Sequence, residues 1–253
     1  MGTVPIFMAE HSQALFRFHD ELGELLAAER RGRAFAIPID RARSVKDAIE
    51  SVGVPHTEVD LVVVDGAAVG LGHLLRGGEA VEVHPRLDSA LFPGAAALKP
   101  PMAGAPLFVA DTHLGKLARH LRMAGFDCAW DNAWDDDEIA AIAGVRAAAI
   151  LTRDKGLLMR REVARGRFVR ATESEAQLAE VVKAFGLAPL MRPFTRCREC
   201  NVALEEVSRE SVLGRLPPKV RELYTSFKRC PGCERVYWEG SHYARMRGVL
   251  ARL

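Results

Sequence analysis

Four of the five cysteines stand in two Cys-x-x-Cys pairs near the end of the sequence, with 29 residues between the pairs. Their positions are Cys197, Cys200, Cys230 and Cys233. Two such pairs can complete a tetrahedral shell of four thiolates, the arrangement typical of structural zinc. The spacing therefore predicts a structural Zn²⁺ ion, and four cysteines that are free or joined in disulfides are the alternative. The fifth cysteine, Cys128, lies in an apolar segment and is expected to be a small buried side chain.

Acidic residues closely follow two apolar segments in the middle of the sequence. Asp111 comes directly after Leu107–Ala110, and Asp154 comes three residues after Ala147–Leu151. If both segments are parallel strands, their carboxyl ends meet at one edge of a sheet, which brings the two carboxylates to the same crevice. A third acidic stretch, residues 135–138, opens a helical pattern between them and can lean into that crevice. Crowded carboxylates need a cation, and Mg²⁺ or Mn²⁺ suits oxygen ligands and can activate water for attack on a phosphodiester.

Each of these acidic residues also has a purely structural interpretation. Asp111 can cap the helical segment that follows it, and Asp154, which precedes Lys155-Gly156, can form a turn. The stretch 135–138 is typical of a solvated first helical turn, where the helix dipole favours negative charge. From spacing alone both interpretations stay open, and the repeated position at strand ends is what favours a shared site.

The segments around these acids alternate between strand and helix patterns. Directly after the first strand, apolar residues recur with helical spacing at Leu114, Leu117, Ala118 and Leu121. Further apolar strands are predicted near residues 128, 149 and 168, with helical segments between and after them. A β-α alternation of this kind predicts a mostly parallel sheet with helices on both faces.

The first 90 residues show the order strand, strand, helix, strand, strand. The helix is predicted to begin at Ser44, whose side chain forms a capping box with Asp47. This order resembles the ubiquitin-like β-grasp domains that are related to sulfur carriers. Such carriers end in a free Gly-Gly tail, whereas Gly77-Gly78 is internal here and predicts a turn. A binding or scaffolding module is therefore favoured over a sulfur-transfer partner.

Proline, glycine and charge divide the 253 residues into four segments. A linker is predicted at 91–105, because Phe92–Pro106 contains four prolines and two glycines without apolar periodicity. The predicted domains are a β-grasp domain over 1–90, a nuclease-like α/β domain over 106–190 and a zinc ribbon over 191–253. The first segment has 9 basic and 14 acidic residues and the last has 13 and 7, so the net charge of +2 conceals an acidic head and a basic tail.

The middle and final segments resemble one known family. The run Phe108-Val-Ala-Asp-Thr-His-Leu-Gly-Lys-Leu-Ala-Arg-His-Leu, with Ile150-Leu-Thr-Arg-Asp-Lys-Gly-Leu and the two cysteine pairs, is similar to the Mut-seven C-terminal RNase family. The resemblance spans about residues 106–247, and the β-grasp head resembles the domain that precedes this nuclease in many bacterial members. The implied fold class is α/β, with an N-terminal β-grasp (α+β) domain, a PIN-like domain built on a parallel sheet and a C-terminal zinc ribbon.

The resemblance also implies a function, a metal-dependent ribonuclease in which Asp111 and Asp154 bind Mg²⁺ or Mn²⁺. PIN-like sites normally take a third catalytic acid from the intervening helical region, and Asp136 is the first choice for it and Asp137 the second. A fourth acid usually follows the next strand, but here that place contains Glu173 and no aspartate. A catalytically inactive RNA-binding or adaptor protein with the PIN-like fold is therefore the alternative function.

Basic residues flank the predicted cleft and the predicted ribbon. Arg119, Arg122, Arg153 and Lys155 are expected to hold RNA phosphates, with solvated surface charges as the alternative. The final segment interleaves its arginines with aromatic residues, a pattern typical of surfaces that bind nucleic acid by base stacking. These aromatic residues are Tyr224, Phe227, Tyr237, Trp238 and Tyr243. For Trp238 itself we prefer packing in a small core around zinc, whereas the arginines as a group favour RNA contact.

Other catalytic signatures and targeting segments are not found in the sequence. It contains no P-loop motif, no His-Glu-x-x-His motif and no Gly-x-Gly-x-x-Gly motif at a strand–helix turn. It contains no run of about 18 apolar residues, and its first residues lack the features of a signal peptide. We therefore expect a cytoplasmic protein whose partners are RNA and an unknown protein that binds the acidic β-grasp head, with no membrane contact.

Overall fold

The computed structural model describes residues 12–87, 90–99 and 104–253, apart from the side chain at position 242. The chain divides near residue 101 into two compact units, and the short segment Leu158–Arg161 is grouped with the first unit. Within the described ranges, no helix combines the length and the apolar character that crossing a membrane requires.

The first unit is built on a mixed five-stranded sheet. Its described strands, in chain order, are β1 (Gln13–Phe18), β2 (Phe35–Pro38), β3 (Arg43–Ser44), β4 (Leu61–Val64), β5 (Ala67–Val69), β6 (Leu74–Leu75) and β7 (Ala80–His84). The sheet has the order β2-β1-β7-β4-β5, and β3 pairs separately with β6. Strands β1 and β7 are parallel, with Phe18 opposite Val83, and the other neighbours are antiparallel. A central parallel pair with antiparallel neighbours is the arrangement expected of a β-grasp domain.

Helix α1 (Val45–Ser51) begins where the sequence predicts. The Ser44 hydroxyl accepts a hydrogen bond from the Asp47 amide at 3.0 Å, which caps the helix. Val45, Ala48 and Ile49 are buried, so one face of the helix contributes to the core of this unit. Short 3-10 helices lie at Asp20–Leu25, Ala28–Arg30 and His56–Glu58.

Gly77 and Gly78 form a turn between β6 and β7. Their φ angles are +103° and +99°, in the left-handed region that favours glycine. The Glu79 carboxylate accepts hydrogen bonds from the amides of Arg76 and Gly77 at 2.7 and 2.9 Å and so closes the turn. The dipeptide therefore has a local structural role within the sheet.

The second unit begins with a four-stranded sheet. Its strands are β8 (Leu107–Ala110), β9 (Asp127–Ala129), β10 (Ala149–Thr152) and β11 (Gly166–Phe168). They lie in the order β11-β10-β8-β9, and every neighbouring pair is parallel. The helices of this part are α2 (Gly115–Met123), α3 (Asp136–Arg146), α4 (Lys155–Met159) and α5 (Ser174–Ala184), with 3-10 helices at Thr112–Leu114 and Ala188–Leu190. This alternation is the parallel α/β architecture that the sequence predicts.

Both faces of the parallel sheet are buried. Phe108, Ala110 and Leu151 are fully buried and share a cluster with apolar residues of α2 and α5. Val109 and Ile150 alternate with them along the strands, are equally buried and therefore face the other side. Because apolar residues fill both faces, the polar groups at this sheet are concentrated at the strand ends, where Asp111 and Asp154 lie.

The last part of the second unit contains a small antiparallel sheet. Its strands are β12 (Glu205–Val207), β13 (Phe227–Arg229) and β14 (Val236–Tyr237), in that spatial order. Its helices are α6 (Arg209–Val212), α7 (Pro218–Leu223) and α8 (Ser241–Leu250), with a 3-10 helix at Leu213–Arg215. Trp238 packs against a core of Val212, Leu216 and Phe227, so it is a core side chain as predicted, although the described members of this core do not include the four cysteines.

Main-chain hydrogen bonds join the parallel sheet to this last part. The amides of Arg192 and Phe194 donate to the carbonyls of Ala124 and Met123, each at 2.9 Å. Gly125 has a φ of +99°, and a Cβ at this position would overlap the Arg192 carbonyl, so the close approach requires glycine. The two parts share one compact unit, and the domain boundary at residue 190 stays a prediction.

Candidate functional site

Asp111 lies directly after β8, at the carboxyl edge of the parallel sheet, and is only 7% exposed. Its Oδ2 accepts a hydrogen bond from the Thr152 hydroxyl at 2.6 Å, and its Oδ1 accepts one from the Thr112 hydroxyl at 3.1 Å. Asp111 occupies the N-cap position of the 3-10 helix Thr112–Leu114, but its side chain makes no capping hydrogen bond. Capping therefore does not explain the direction of this carboxylate.

Thr152, at the end of β10, connects the two acids of the predicted site. While its hydroxyl donates to Asp111, its Oγ1 accepts a hydrogen bond from the Asp154 amide at 2.9 Å. Asp154 is exposed, and its Oδ1 accepts a hydrogen bond from the Gly156 amide at 2.7 Å, which forms the predicted turn. A carboxylate offers about four lone-pair positions, so this turn is compatible with metal binding.

The acidic stretch before and within the first turn of α3 has a clear structural role. The Asp135 carboxylate accepts from the Glu138 amide at 2.9 Å, and the Glu138 carboxylate accepts from the Asp135 amide at 3.0 Å. This reciprocal capping box accounts for two of the four acids. Asp136 and Asp137, the candidates for a third metal ligand, are both exposed in the first helical turn.

The carboxylates of the predicted nuclease site are not gathered tightly around one point. Within the described ranges, sets of three or more potential ligand atoms that all lie within 4.8 Å of one another occur at the four cysteines and at His19, Glu82 and His84. Asp111 and Asp154 do not form such a set with Asp136 or Asp137 in this part of the chain. The third acid therefore stays a prediction. Glu173, which stands where a fourth acid is usual, is exposed and its side chain does not cap α5, so its role in place of that acid also stays a prediction.

The four predicted phosphate-binding residues differ in their surroundings. Arg153 is exposed and donates to the Ala171 carbonyl at 2.7 Å, while the Lys155 ammonium lies 5.7 Å from the centre of the Phe168 ring. Arg119 is partly exposed and pairs with Glu199 at 3.2 Å. These three side chains lie at least partly at the surface, where a phosphate can reach them.

Arg122 is different, because it is only 3% exposed. Its guanidinium donates to the carbonyls of Cys128, Arg198 and Glu199 at 2.8, 3.2 and 2.6 Å. The prediction that Arg122 binds a phosphate is therefore wrong. Its buried guanidinium donates to three carbonyls and so joins α2 and β9 to the chain around the first cysteine pair.

Trp130 is a neighbour of the site that sequence reasoning missed. Its indole Nε1 donates to the Thr112 carbonyl at 3.1 Å, and the Arg119 guanidinium lies 5.7 Å from the ring centre. A Cβ at Gly115 would lie only 2.6 Å from the indole ring, so this packing depends on glycine at the start of α2. The available signal was the position of a tryptophan just beyond the end of β9, at the same edge of the sheet as Asp111.

The four cysteines of the two Cys-x-x-Cys pairs come together as the spacing predicts. The Sγ–Sγ distances are 3.4 Å for Cys197–Cys200, 3.3 Å for Cys200–Cys230 and 3.7 Å for Cys197–Cys233. Zinc–sulfur bonds of about 2.3 Å in a tetrahedron place the sulfurs about 3.8 Å apart, so the cluster is close to the size of a zinc shell. All five cysteines of the chain are thiols, which excludes the disulfide alternative.

The surroundings of Cys197 favour its ionised form. Burial raises the pKa of this thiol, but hydrogen bonds from the Cys200 amide, the Tyr237 hydroxyl and the Glu199 amide outweigh burial and lower the pKa to about 6. The Tyr237 oxygen lies 3.1 Å from Cys197 Sγ. Because zinc binds thiolates, this environment suits a metal ligand.

The described structure is thus an α/β protein that joins a ubiquitin-like sheet domain to a parallel-sheet domain, with a cysteine cluster compatible with a zinc ribbon. The family model described as the Mut7-C RNAse domain matches residues 106–250, and the model described as the Mut7-C ubiquitin domain matches residues 11–90. The chain belongs to the Mut7-C RNAse domain family, because the first match covers more than half of it. No curated protein and no solved structure matches the chain.

Proposed function

We propose that this chain is a metal-dependent ribonuclease that hydrolyses RNA phosphodiester bonds at the carboxyl edge of the parallel sheet. The observation that carries the proposal is the environment of Asp111. This carboxylate is nearly buried, two hydroxyls orient it, and within the described ranges no basic side chain pairs with it. An ionised carboxylate withdrawn from water needs a compensating charge, and a divalent cation can supply it.

The donor set is all oxygen, which suits Mg²⁺ or Mn²⁺. Asp111 and Asp154 are the proposed ligands, with Asp136 or Asp137 as the third acid. When bound, such an ion activates a water molecule and neutralises the charge that develops on the phosphodiester. Thr152 holds the Asp111 carboxylate in one orientation by donating a hydrogen bond to it.

The proposed RNA contacts lie around this edge of the sheet. Arg119, Arg153 and Lys155 are proposed to bind phosphates. Trp130 is proposed to present a ring face to a base beside Asp111, because its indole is only partly buried.

The zinc ribbon is proposed as a second RNA-binding surface. It borders a cavity of about 380 Å³ whose wall includes the rings of Phe194, Tyr243 and Trp238. The centres of the Phe194 and Tyr243 rings lie 4.0 Å apart, and Arg198 and Lys228 also line the cavity. Aromatic faces beside basic side chains are what proteins use to hold single-stranded nucleic acid. These features support single-stranded nucleic acid as the ligand of this surface, and the family match to an RNAse domain favours RNA.

An RNA cleavage assay with and without Mn²⁺ or Mg²⁺ tests the proposed function. We expect Asp111→Asn and Asp154→Asn each to lower the rate by more than about 100-fold, because the loss of an outer-shell partner of a metal site already costs about 10- to 100-fold. Glu206→Gln is the matched control, since it removes one charge from an exposed acid on β12. Activity that survives in both aspartate variants would contradict the proposed site.

The same assay separates the ribonuclease from the alternative function. The exposed positions of Asp136 and Asp137, and the glutamate where a fourth aspartate is usual, favour an inactive RNA-binding or adaptor protein as the second candidate. Wild-type protein that binds RNA but shows no metal-dependent cleavage would support this second candidate. Metal-dependent cleavage that requires Asp111 and Asp154 would exclude it.

A further inference from the structure

Two histidines and a glutamate come together in the first unit, outside the site described above. His19 directly follows β1, while Glu82 and His84 lie two residues apart on β7 and therefore point to the same face of the sheet. Because β1 and β7 are parallel with Phe18 opposite Val83, His19 lies beside His84. The three side chains thus meet at one end of the central strand pair.

The distances among these side chains are those of a ligand set. Glu82 Oε2 lies 3.3 Å from His19 Nε2 and 3.5 Å from His84 Nε2, and all three atoms lie within 4.8 Å of one another. Both Nε2 atoms are buried, and neither makes a directed hydrogen bond to any described group. Buried polar atoms without a hydrogen-bond partner are unusual and indicate a missing ligand.

A bound cation accounts for the combination of short distances and absent hydrogen bonds. A metal held at about 2.0 to 2.2 Å in a tetrahedral arrangement separates its ligand atoms by roughly 3.3 to 3.6 Å. In that arrangement each nitrogen lone pair points at the metal rather than at the neighbouring carboxylate oxygen. The contacts between Glu82 and the two imidazoles fit this arrangement, because the atoms are close but their geometry is not that of a hydrogen bond.

We propose that His19, Glu82 and His84 form a binding site for a first-row transition-metal dication such as Zn²⁺ or Ni²⁺. Imidazole nitrogen and carboxylate oxygen are suitable ligands for these ions. Three protein ligands leave at least one coordination position open for water or for a group from a partner. The site is separate in chemistry from the four-sulfur cluster, which offers no open position.

The backbone at the proposed site is held before any metal binds. The His19 amide donates to the Val83 carbonyl, and the His84 carbonyl accepts from the Asp60 amide, each at 3.0 Å. The two imidazole rings stack with centres 4.1 Å apart and within 8° of parallel, so binding requires each ring to tilt toward the ion. The χ2 torsion of histidine is soft, so this adjustment needs no change of the backbone.

Titration with Ni²⁺ of the full chain that carries one equivalent of Zn²⁺ for the four cysteines, without an affinity tag, tests the proposal by NMR of the histidine side chains. We expect the first equivalent of paramagnetic Ni²⁺ to broaden the imidazole signals of His19 and His84 and to leave that of His73 unchanged. His73 is an exposed histidine of the same unit and serves as the internal control. Equal broadening at His73, or no broadening at His19 and His84, would overturn the proposal.

Calorimetric titration of variants provides a second, independent measurement. We expect His19→Gln and His84→Gln to weaken Ni²⁺ binding by about 10- to 100-fold or more, and His73→Gln to leave it unchanged. Ni²⁺ should raise the melting temperature of the wild type and of His73→Gln, but not that of the other two variants. Glu82→Gln, at a half-exposed position, should also weaken binding while the chain stays folded. Affinities equal to wild type in all three ligand variants would show that the ion binds elsewhere.

Discussion

At the scale of single residues, one hydroxyl organises the proposed nuclease site. Thr152 is fully buried, donates to Asp111 and accepts from the Asp154 amide. It therefore couples two acids that are 43 positions apart in the sequence. The identity of this residue, rather than its size, should matter for activity, because valine has the same shape but lacks the hydroxyl.

Replacement of Thr152 tests this role. We expect Thr152→Val to lower metal-dependent cleavage by about 10- to 100-fold, as other losses of an outer-shell partner do. It should also lower the free energy of unfolding by about 1 to 3 kcal/mol, because Asp111 loses a donor in a buried position. Thr152→Ser keeps the hydroxyl and should recover most of the activity. RNA cleavage and urea unfolding measure both effects, and equal rates for the valine and serine variants would exclude a role for the hydroxyl.

Arg122 and Cys128 show how far residue type predicts environment. Cys128 is fully buried, as its apolar segment indicates, and burial raises the pKa of its thiol to about 12. Arg122 is predicted from the sequence to hold an RNA phosphate, but it is buried against three carbonyls. Its position four residues after Ala118, on the edge of the apolar face of α2, was the available signal. Its partners at positions 198 and 199 could not be inferred from local spacing.

At the scale of elements, Asp127 joins β9 to α3 and to the first cysteine pair. Its Oδ1 accepts from Arg146 on α3 at 2.8 Å and from the Asn201 side-chain amide at 2.7 Å, and Arg196 lies 3.6 Å from Oδ2. Partial burial raises the pKa of Asp127, but these hydrogen bonds and positive charges outweigh it and hold the pKa below the usual 3.8. The ionised carboxylate therefore stabilises the folded chain.

The lowered pKa of Asp127 predicts a definite pH dependence of stability. Its contribution is fully present above the unfolded-state pKa of 3.8 and is lost as the pH falls through the lower folded-state value. We expect Asp127→Asn to be less stable than wild type at pH 6 and the difference to shrink below about pH 4. Urea unfolding of both proteins at several pH values measures this difference. Both proteins lose zinc at low pH, so comparing them at the same pH cancels that shared effect. A difference that stays constant across this range would contradict the assignment.

At the scale of the whole molecule, the last part of the chain, which carries the four-cysteine cluster, packs against the parallel sheet within the second unit. Leu250 of α8 belongs to the same buried cluster as Phe108 of the sheet, and Met246 packs with Met123 of α2. Arg122 adds polar contacts to the chain around the first cysteine pair. Loss of a metal ion from the cysteine cluster should therefore destabilise the parallel sheet that carries Asp111.

Removal of zinc with a chelator tests this dependence. We expect the ribbon to unfold, and the free energy of unfolding of the second unit to fall by at least about 3 kcal/mol, because structural zinc binding contributes roughly 10 kcal/mol in small domains. In a Trp238→Phe variant, the fluorescence of Trp130 and Trp134 reports on the sheet. Zn²⁺ should restore the original unfolding curve. A chelated chain with an unchanged unfolding midpoint would contradict the four-cysteine zinc site.

Local sequence determined much of this architecture, because the features concerned depend on near neighbours. Two cysteines three positions apart form a knuckle in any context that supplies the turn, and apolar periodicity together with segment length and flanking turn residues indicates strands and helices. The cap at Ser44 and the turn at Gly77 are likewise interactions over a few residues. For this reason the fold class and the cysteine cluster were predictable from the sequence.

Only the tertiary structure decided which distant side chains meet. The contact of Thr152 with Asp111 depends on the register of β8 and β10, and the contact of His19 with His84 depends on the register of β1 and β7. The burial of Arg122 depends on how the last part of the chain packs on α2. Register and packing result from the free energy of the whole core, to which residues far apart in sequence contribute together. No local pattern contains that information, so the sequence indicated the cysteine cluster, whereas only the fold showed that His19 lies beside His84 and that Thr152 contacts Asp111.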